Sequence, residues 1–154
     1  MSRVASKESS APISISNYTS PDLDSNFCDI LLVMQIDSEN KKTIETYIDG
    51  FNKSDHEQIL SCLTDDVVWE MPGIFHHEGK KAFDSEIENP AFEGKPVVVI
   101  TRLTEENSVV VAEGTVKGKR KGGEAFNAVF CDVFEMENTK IKRLIGYIAM
   151  TNQA

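Results

Sequence analysis

Four long stretches of alternating apolar and polar residues fill the C-terminal part of the chain: Val97 to Leu103, Ser108 to Gly118, Glu124 to Met136 and Lys140 to Thr151. A period of two is the pattern of strands with one face buried. The runs Glu105-Glu106-Asn107, Lys121-Gly122-Gly123 and Glu137-Asn138-Thr139 separate them at hairpin spacing. The prediction is an antiparallel meander. Such a sheet has to bury its apolar face against another layer, and the material for that layer lies upstream.

Ser38-Glu39-Asn40-Lys41 carries a Ser N-cap signal, and Ile44, Tyr47, Ile48 and Phe51 follow at helical spacing. Asn52-Lys53-Ser54-Asp55 ends that helix and caps a second one striped by Ile59, Leu60 and Leu63. Thr64-Asp65-Asp66 reads as a turn, and Val67-Val68-Trp69-Glu70-Met71 as a short strand closed by Pro72-Gly73. Alternation puts Val67, Trp69 and Met71 on one face of it and Val68 and Glu70 on the other. A loop through His76 and His77 leads to Gly79, Lys80 to Glu88 reads as a third helix, and Pro90 and Pro96 bracket a connection. Helices followed by a meander define an α+β domain. A curved antiparallel sheet wrapped around the long first helix would form a cone with an open mouth.

The domain spans residues 38–154. Residues 1–37 are rich in Ser, Pro, Asn and Asp, show no period, and read as a flexible tail. The largely apolar stretch Asn26 to Met34 is the exception. Either it packs on the domain or a partner, or it precedes a start at Met34.

A net charge of −9 argues against nucleic-acid binding, which needs clustered Lys and Arg. The apolar patch Ile30 to Met34 is too short to span a membrane. Cys28, Cys62 and Cys131 make an odd set without a CxxC pair, which speaks against a disulfide framework and for a reducing cytoplasm. No zinc-type spacing occurs, and no cofactor motif is present.

The stretch most informative about function is Phe126 to Phe134. Alternation places Phe126, Ala128, Phe130, Asp132 and Phe134 on one face. A carboxyl among aromatic rings is costly unless it is paired, hydrogen-bonded or protonated, and carboxyls perturbed this way concentrate at functional sites. The structural alternative is an Asp that accepts a hydrogen bond and fixes strand curvature. The rest of a pocket wall follows from the same alternation. Leu144, Gly146, Ile148 and Met150 share one face of the last strand, and Val110, Ala112, Gly114 and Val116 share one of an earlier strand. Ala112, Gly114 and Gly146 leave space there, and Trp69, Phe83 and Phe134 could close round a flat apolar ligand. Lys117, Lys119, Arg120 and Lys121 read as a solvated hairpin tip.

Taken together, these elements resemble the nuclear transport factor 2-like superfamily with its cystatin-like cone, and within it the SnoaL-like and ketosteroid-isomerase-like proteins. The residues that carry the likeness are Tyr47 to Asp55, Leu63 to Pro72, Gly79 opening a helix, and Asp132-Val133-Phe134. Ketosteroid isomerases form an oxyanion hole from a Tyr on the first helix and a late-strand Asp, with an Asp base directly before a Pro. By position the Tyr falls on Tyr47 and the late Asp on Asp132, while the base position holds Met71, before Pro72. Met takes no proton, so the resemblance carries half of that mechanism.

Glu70 alternates to the opposite face, which leaves His77, nearer than His76 to the Gly79 helix start, or a bound water to move a proton. Two adjacent histidines without a third ligand do not make a metal site. The expectation is a pocket for a small apolar molecule, isomerase- or cyclase-like if it catalyses, on a domain that by resemblance pairs as a homodimer through its outer sheet face. The alternative is a non-catalytic interaction module of the same fold. Epoxide hydrolysis on a related cone needs an Asp–Arg–Asp set. Arg102 and Arg143 are the nearest candidates, with Arg143 off the Leu144–Gly146 face.

Overall fold

The computed structural model describes residues 38–151. The expected tail over 1–37, with its apolar stretch, lies outside the described residues. Ser38 caps the first helix, α1 (Glu39–Lys53), its side chain accepting the Lys41 N–H. Ile44, Tyr47 and Ile48 are buried along one stripe of it. The helix stops where Ser54 turns left-handed, and Asp55 then caps α2 (His56–Ser61) by accepting the Gln58 N–H at 2.9 Å. Gly50 permits this tight elbow, since a Cβ there would stand 2.7 Å from Ile59 Cγ1.

Strands β1 (Leu63–Met71) and β2 (Phe75–Glu78) come next, then α3 (Lys80–Ile87). Four long strands complete the domain: β3 (Phe92–Glu106), β4 (Val109–Arg120), β5 (Ala125–Glu137) and β6 (Lys140–Met150). They form an unclosed six-stranded sheet in the order β2-β1-β6-β5-β4-β3. The β3–β4 and β5–β6 hairpins turn on Asn107-Ser108 and Asn138-Thr139, all four at positive φ, as the tightest hairpin turns require. The concave face packs on α1, α2 and α3 around Ile44, Ile59, Phe83, Phe134 and Leu144. Asn52 ties α1 to the edge strand β3: its Oδ1 accepts the Val98 N–H at 2.7 Å and its Nδ2 donates to the Val98 carbonyl at 2.9 Å.

The long meander is as expected, with three departures around it. First, β1 joins β6 in parallel, not as part of an antiparallel run. The partner of a short strand is fixed by how α1 and α2 lead into it, which no local pattern records. The same strand starts at Leu63, so Thr64-Asp65-Asp66 lies in β1, across an irregularity in its pairing with β6. Second, Phe75-His76-His77-Glu78, expected as loop, is β2, paired with Val68–Met71. Third, Pro96 lies inside β3, at a register shift between Glu93 and Val97. An outermost strand tolerates a residue without an N–H on its open side.

Candidate functional site

A cavity of about 150 Å³ lies between α1 and the concave sheet face. Tyr47, Ile48 and Phe51 line it from α1, and Trp69 and Met71 from β1. Phe130 and Asp132 enter from β5, and Leu144, Gly146 and Ile148 from β6; Val98 and Val116 complete the wall.

Asp132 points inward because it alternates with Phe130 and Phe134 along β5. Its partners across the ladders are Ala112 on β4 and Gly146 on β6, two small residues that leave the carboxyl room. Among the described residues nothing donates a hydrogen bond to it or pairs with it. Burial therefore acts unopposed and pushes its pKa from the ordinary 3.8 up to about 7. Tyr47 is almost fully buried. Burial, then the charge of Asp132, then Cys62 raise its phenol well above the ordinary range, so the Tyr47 and Asp132 groups feel one another across the cavity.

The Trp69 ring is fixed by its neighbours. It stacks on Phe83, with centroids 4.4 Å apart, and meets Phe51 and Phe75 edge to face. A Cβ placed on Gly146 would stand 3.2 Å from Asp132 Oδ1, 3.4 Å from Met71 Cγ and 3.9 Å from Trp69 Nε1. The carboxyl, the thioether chain and the indole nitrogen thus border one gap, which exists because residue 146 has no side chain.

Of the residues expected in the site, Tyr47, Trp69, Met71, Asp132, Leu144, Gly146 and Ile148 line one cavity. Phe83, Ala112 and Phe134 do not: they are packed into the core around it. Gly114 leaves no space either, because the Phe130 ring fills it and a Cβ would lie 2.2 Å from the Val99 carbonyl oxygen. His77 sits on the outermost strand, opposite Trp69, and does not line the cavity. Its ring stacks on Phe75, and its buried Nε2 lies 3.5 Å from Glu86 Oε2 without a well-formed hydrogen bond.

Glu70 is bound to Arg143 at 3.1 Å, and Arg143 also reaches Glu135 at 3.0 Å. Arg102 pairs with Glu113. Neither arginine lines the cavity, so no Asp–Arg–Asp set forms there. Sequence reasoning missed Ile48, Phe51 and Val98 as wall residues, although the α1 stripe and the strand alternation place each of them on the concave side.

A wider surface cleft of about 320 Å³ beside α1 is bordered by Thr43, Ser61, Cys62 and Lys140. Its polar groups are already committed: Thr43 Oγ1 donates to the Thr139 carbonyl, Ser61 Oγ to that of Gln58, and Lys140 Nζ to that of Ser61. It offers little for recognition. Among the described residues no three His, Cys, Asp or Glu side chains group as metal ligands, and no helix is long and apolar enough to cross a membrane.

An unclosed sheet curled over a long helix, with a cavity between the two, is the nuclear transport factor 2-like class of domain. Within it, the chain belongs to the SnoaL-like domain family, whose profile matches residues 44–144. Solved structures agree on the fold. An NTF2-like protein of unknown function from Burkholderia pseudomallei is 19% identical, with a TM-score of 0.68, over 73% of this chain and 92% of that one. An LEH-like epoxide hydrolase from M. tuberculosis is 21% identical, with a TM-score of 0.65, over 72% and 83%. A protein of ketosteroid isomerase-like fold from Catenulispora acidiphila, in complex with trimethylamine, is 14% identical, with a TM-score of 0.63, over 68% and 83%. Comparison with curated proteins finds no match.

Proposed function

We propose that the cavity binds a small, largely apolar molecule, and that Asp132 and Tyr47 polarise an oxygen of it. The observation that carries this reading is the Asp132 carboxyl, set in an apolar wall without a partner among the described residues. A carboxyl with a pKa near 7 is substantially neutral at physiological pH and then donates a hydrogen bond. Polarisation of this kind is the first half of isomerase- or cyclase-like chemistry. With Met71 at the base position and His77 outside the cavity, proton removal falls to a bound water, and binding is the part of the reading best supported. Native mass spectrometry of the full chain is expected to show a bound small molecule, or uptake of the one-ring probe cyclohexanone, with both weakened in Asp132→Asn. A chain that carries nothing and takes up no such probe refutes the reading.

A second reading, an interaction module, rests on the outer sheet face. Val97 (57% exposed), Val99 (50%), Val129 (44%) and Tyr147 (50%) present apolar surface there. Lone exposed apolar residues are ordinary, but several on one face suit a partner, and we propose a second copy of this chain. Sedimentation velocity should show a dimer that Val129→Lys dissociates; a wild-type monomer at micromolar concentration contradicts it. The free thiols of Cys62 and Cys131 support residence in a reducing cytoplasm.

A further inference from the structure

The gap at Gly146 has a chemical character that the apolar wall conceals. Trp69 Nε1–H is a donor only, and among the described residues no acceptor takes it. A ligand that brings no acceptor to such a donor displaces its water without replacing the hydrogen bond. Rotation of the ring away from the cavity is opposed by the Phe83 stack and by the edges of Phe51 and Phe75. The place of Nε1 at the gap is therefore set before any ligand arrives. Asp132 Oδ1 borders the same gap, and Gly146 contributes no side-chain atom to it.

Three ligand chemistries are conceivable for such a gap: a cation, a hydrocarbon, or a neutral molecule with an acceptor atom. A cation would use the Asp132 charge and the face of an aromatic ring. One face of Trp69 is covered by Phe83, and the indole atom that borders the gap is Nε1, which carries the donor hydrogen. A hydrocarbon would leave both the indole N–H and the carboxyl unmatched. An acceptor oxygen matches both. Size narrows the class further. A cavity of about 150 Å³ is the volume that accommodates a single six-membered ring, and it is below the roughly 300–1,000 Å³ of ordinary drug-sized sites.

We propose that the ligand is a neutral molecule of about one ring carrying an acceptor oxygen, seated over Gly146, with the Trp69 indole N–H as a further donor beside the Asp132 carboxyl and the Tyr47 hydroxyl. The proposal rests on the cavity being a ligand site and adds a positioning residue, Trp69, and a chemical class. Gly146 becomes the residue that keeps the oxygen's place open.

The chain contains one tryptophan, so its indole N–H gives a single, unambiguous NMR signal in isotope-labelled protein. The probes are cyclohexanone, its hydrocarbon isostere methylenecyclohexane, and the cationic N-methylpiperidinium. Cyclohexanone is expected to bind about tenfold more tightly than methylenecyclohexane and to move the indole signal downfield saturably. Trp69→Phe keeps an aromatic ring against Phe83, and should narrow the preference for cyclohexanone over the hydrocarbon severalfold. Gly146→Ala retains the indole and should abolish its shift, which keeps the test decisive if Trp69→Phe folds poorly. The proposal is overturned if cyclohexanone binds and the indole signal does not move. It is equally overturned if the hydrocarbon or the cation binds as well as the ketone. If none of the three binds, the pocket reading itself has failed.

Discussion

Replacing Asp132 by asparagine removes a carboxyl whose ionisation the fold opposes, and the consequence can be worked out with its sign. Below about pH 4 the carboxyl is protonated in folded and unfolded chains alike. Above that the unfolded chain loses the proton first, because its carboxyl keeps the ordinary value of 3.8 while the folded one titrates at about 7. Wild-type stability is therefore lost progressively between about pH 4 and about pH 7, and the loss is constant above. At about 1.4 kcal/mol per pKa unit the full displacement corresponds to roughly 4 kcal/mol.

Asp132 is only partly buried, and solvent screening reduces the usable figure to roughly half, about 2 kcal/mol. Asparagine is nearly isosteric and does not titrate, and whatever its burial costs is the same at every pH. The stability of Asp132→Asn relative to wild type should thus grow by about 2 kcal/mol between pH 4.5 and pH 8, or about 8 °C in melting midpoint. Urea denaturation of both proteins across that range measures it. Asp49, Asp66 and Glu105 are held below the ordinary carboxylate range and act with opposite sign in acid, but they are common to both proteins and cancel. A difference that is flat with pH, or that shrinks as pH rises, refutes the reasoning.

The same titration governs binding: the affinity for cyclohexanone should fall about tenfold between pH 6 and pH 8 as the donor proton is lost, and isothermal titration calorimetry that finds it constant removes Asp132 as a donor. Tyr47→Phe keeps the ring contacts to Phe51, Phe83 and Phe134 and deletes a hydroxyl without a partner among the described residues. Stability should change by less than about 0.5 kcal/mol while cyclohexanone binding weakens; a large loss of stability points to a structural role for the hydroxyl. Gly114→Ala drives a Cβ to 2.2 Å from the Val99 carbonyl oxygen and 2.6 Å from the Phe130 ring. A backbone oxygen yields little, so more than about 3 kcal/mol should be lost, visible as a lowered urea midpoint or as insoluble protein.

The sequence made the strands and helices legible wherever a period was long enough to count. The α1 stripe and the alternation in β5 held because each runs over many residues with one buried face. The four residues of β2 give no such count, and two of them are histidines. The same limit applies to the site. Alternation tells that Gly114 and Gly146 both face the concave side, and it cannot tell them apart. In the structure the Phe130 ring fills one and nothing fills the other. Whether a small residue leaves space depends on which large side chain a neighbouring strand brings beside it, a matter of register and rotamer. The place of Trp69 as a donor was hidden for a related reason: the residue type announces an apolar ring, and only the packed ring reveals that Nε1 borders the gap. Asp132 was readable because a charge on an apolar face is anomalous in any register.

That anomaly bears on what the residue is for. An aspartate kept for strand curvature would accept backbone or side-chain hydrogen bonds, as Asp55 does at the start of α2. Asp132 accepts none among the described residues, and its ladder neighbours Ala112 and Gly146 are small where larger side chains would have filled the space and stabilised the core. Met71 tells against steroid-isomerase chemistry, since it deletes the base; it does nothing to account for the carboxyl. A carboxyl whose pKa burial raises, beside a gap that Trp69 Nε1 also borders, meets no hydrogen-bond partner among the described residues. The simplest compensation is a molecule that satisfies both donors at once, so the missing base argues against one reaction and leaves the case for a ligand intact.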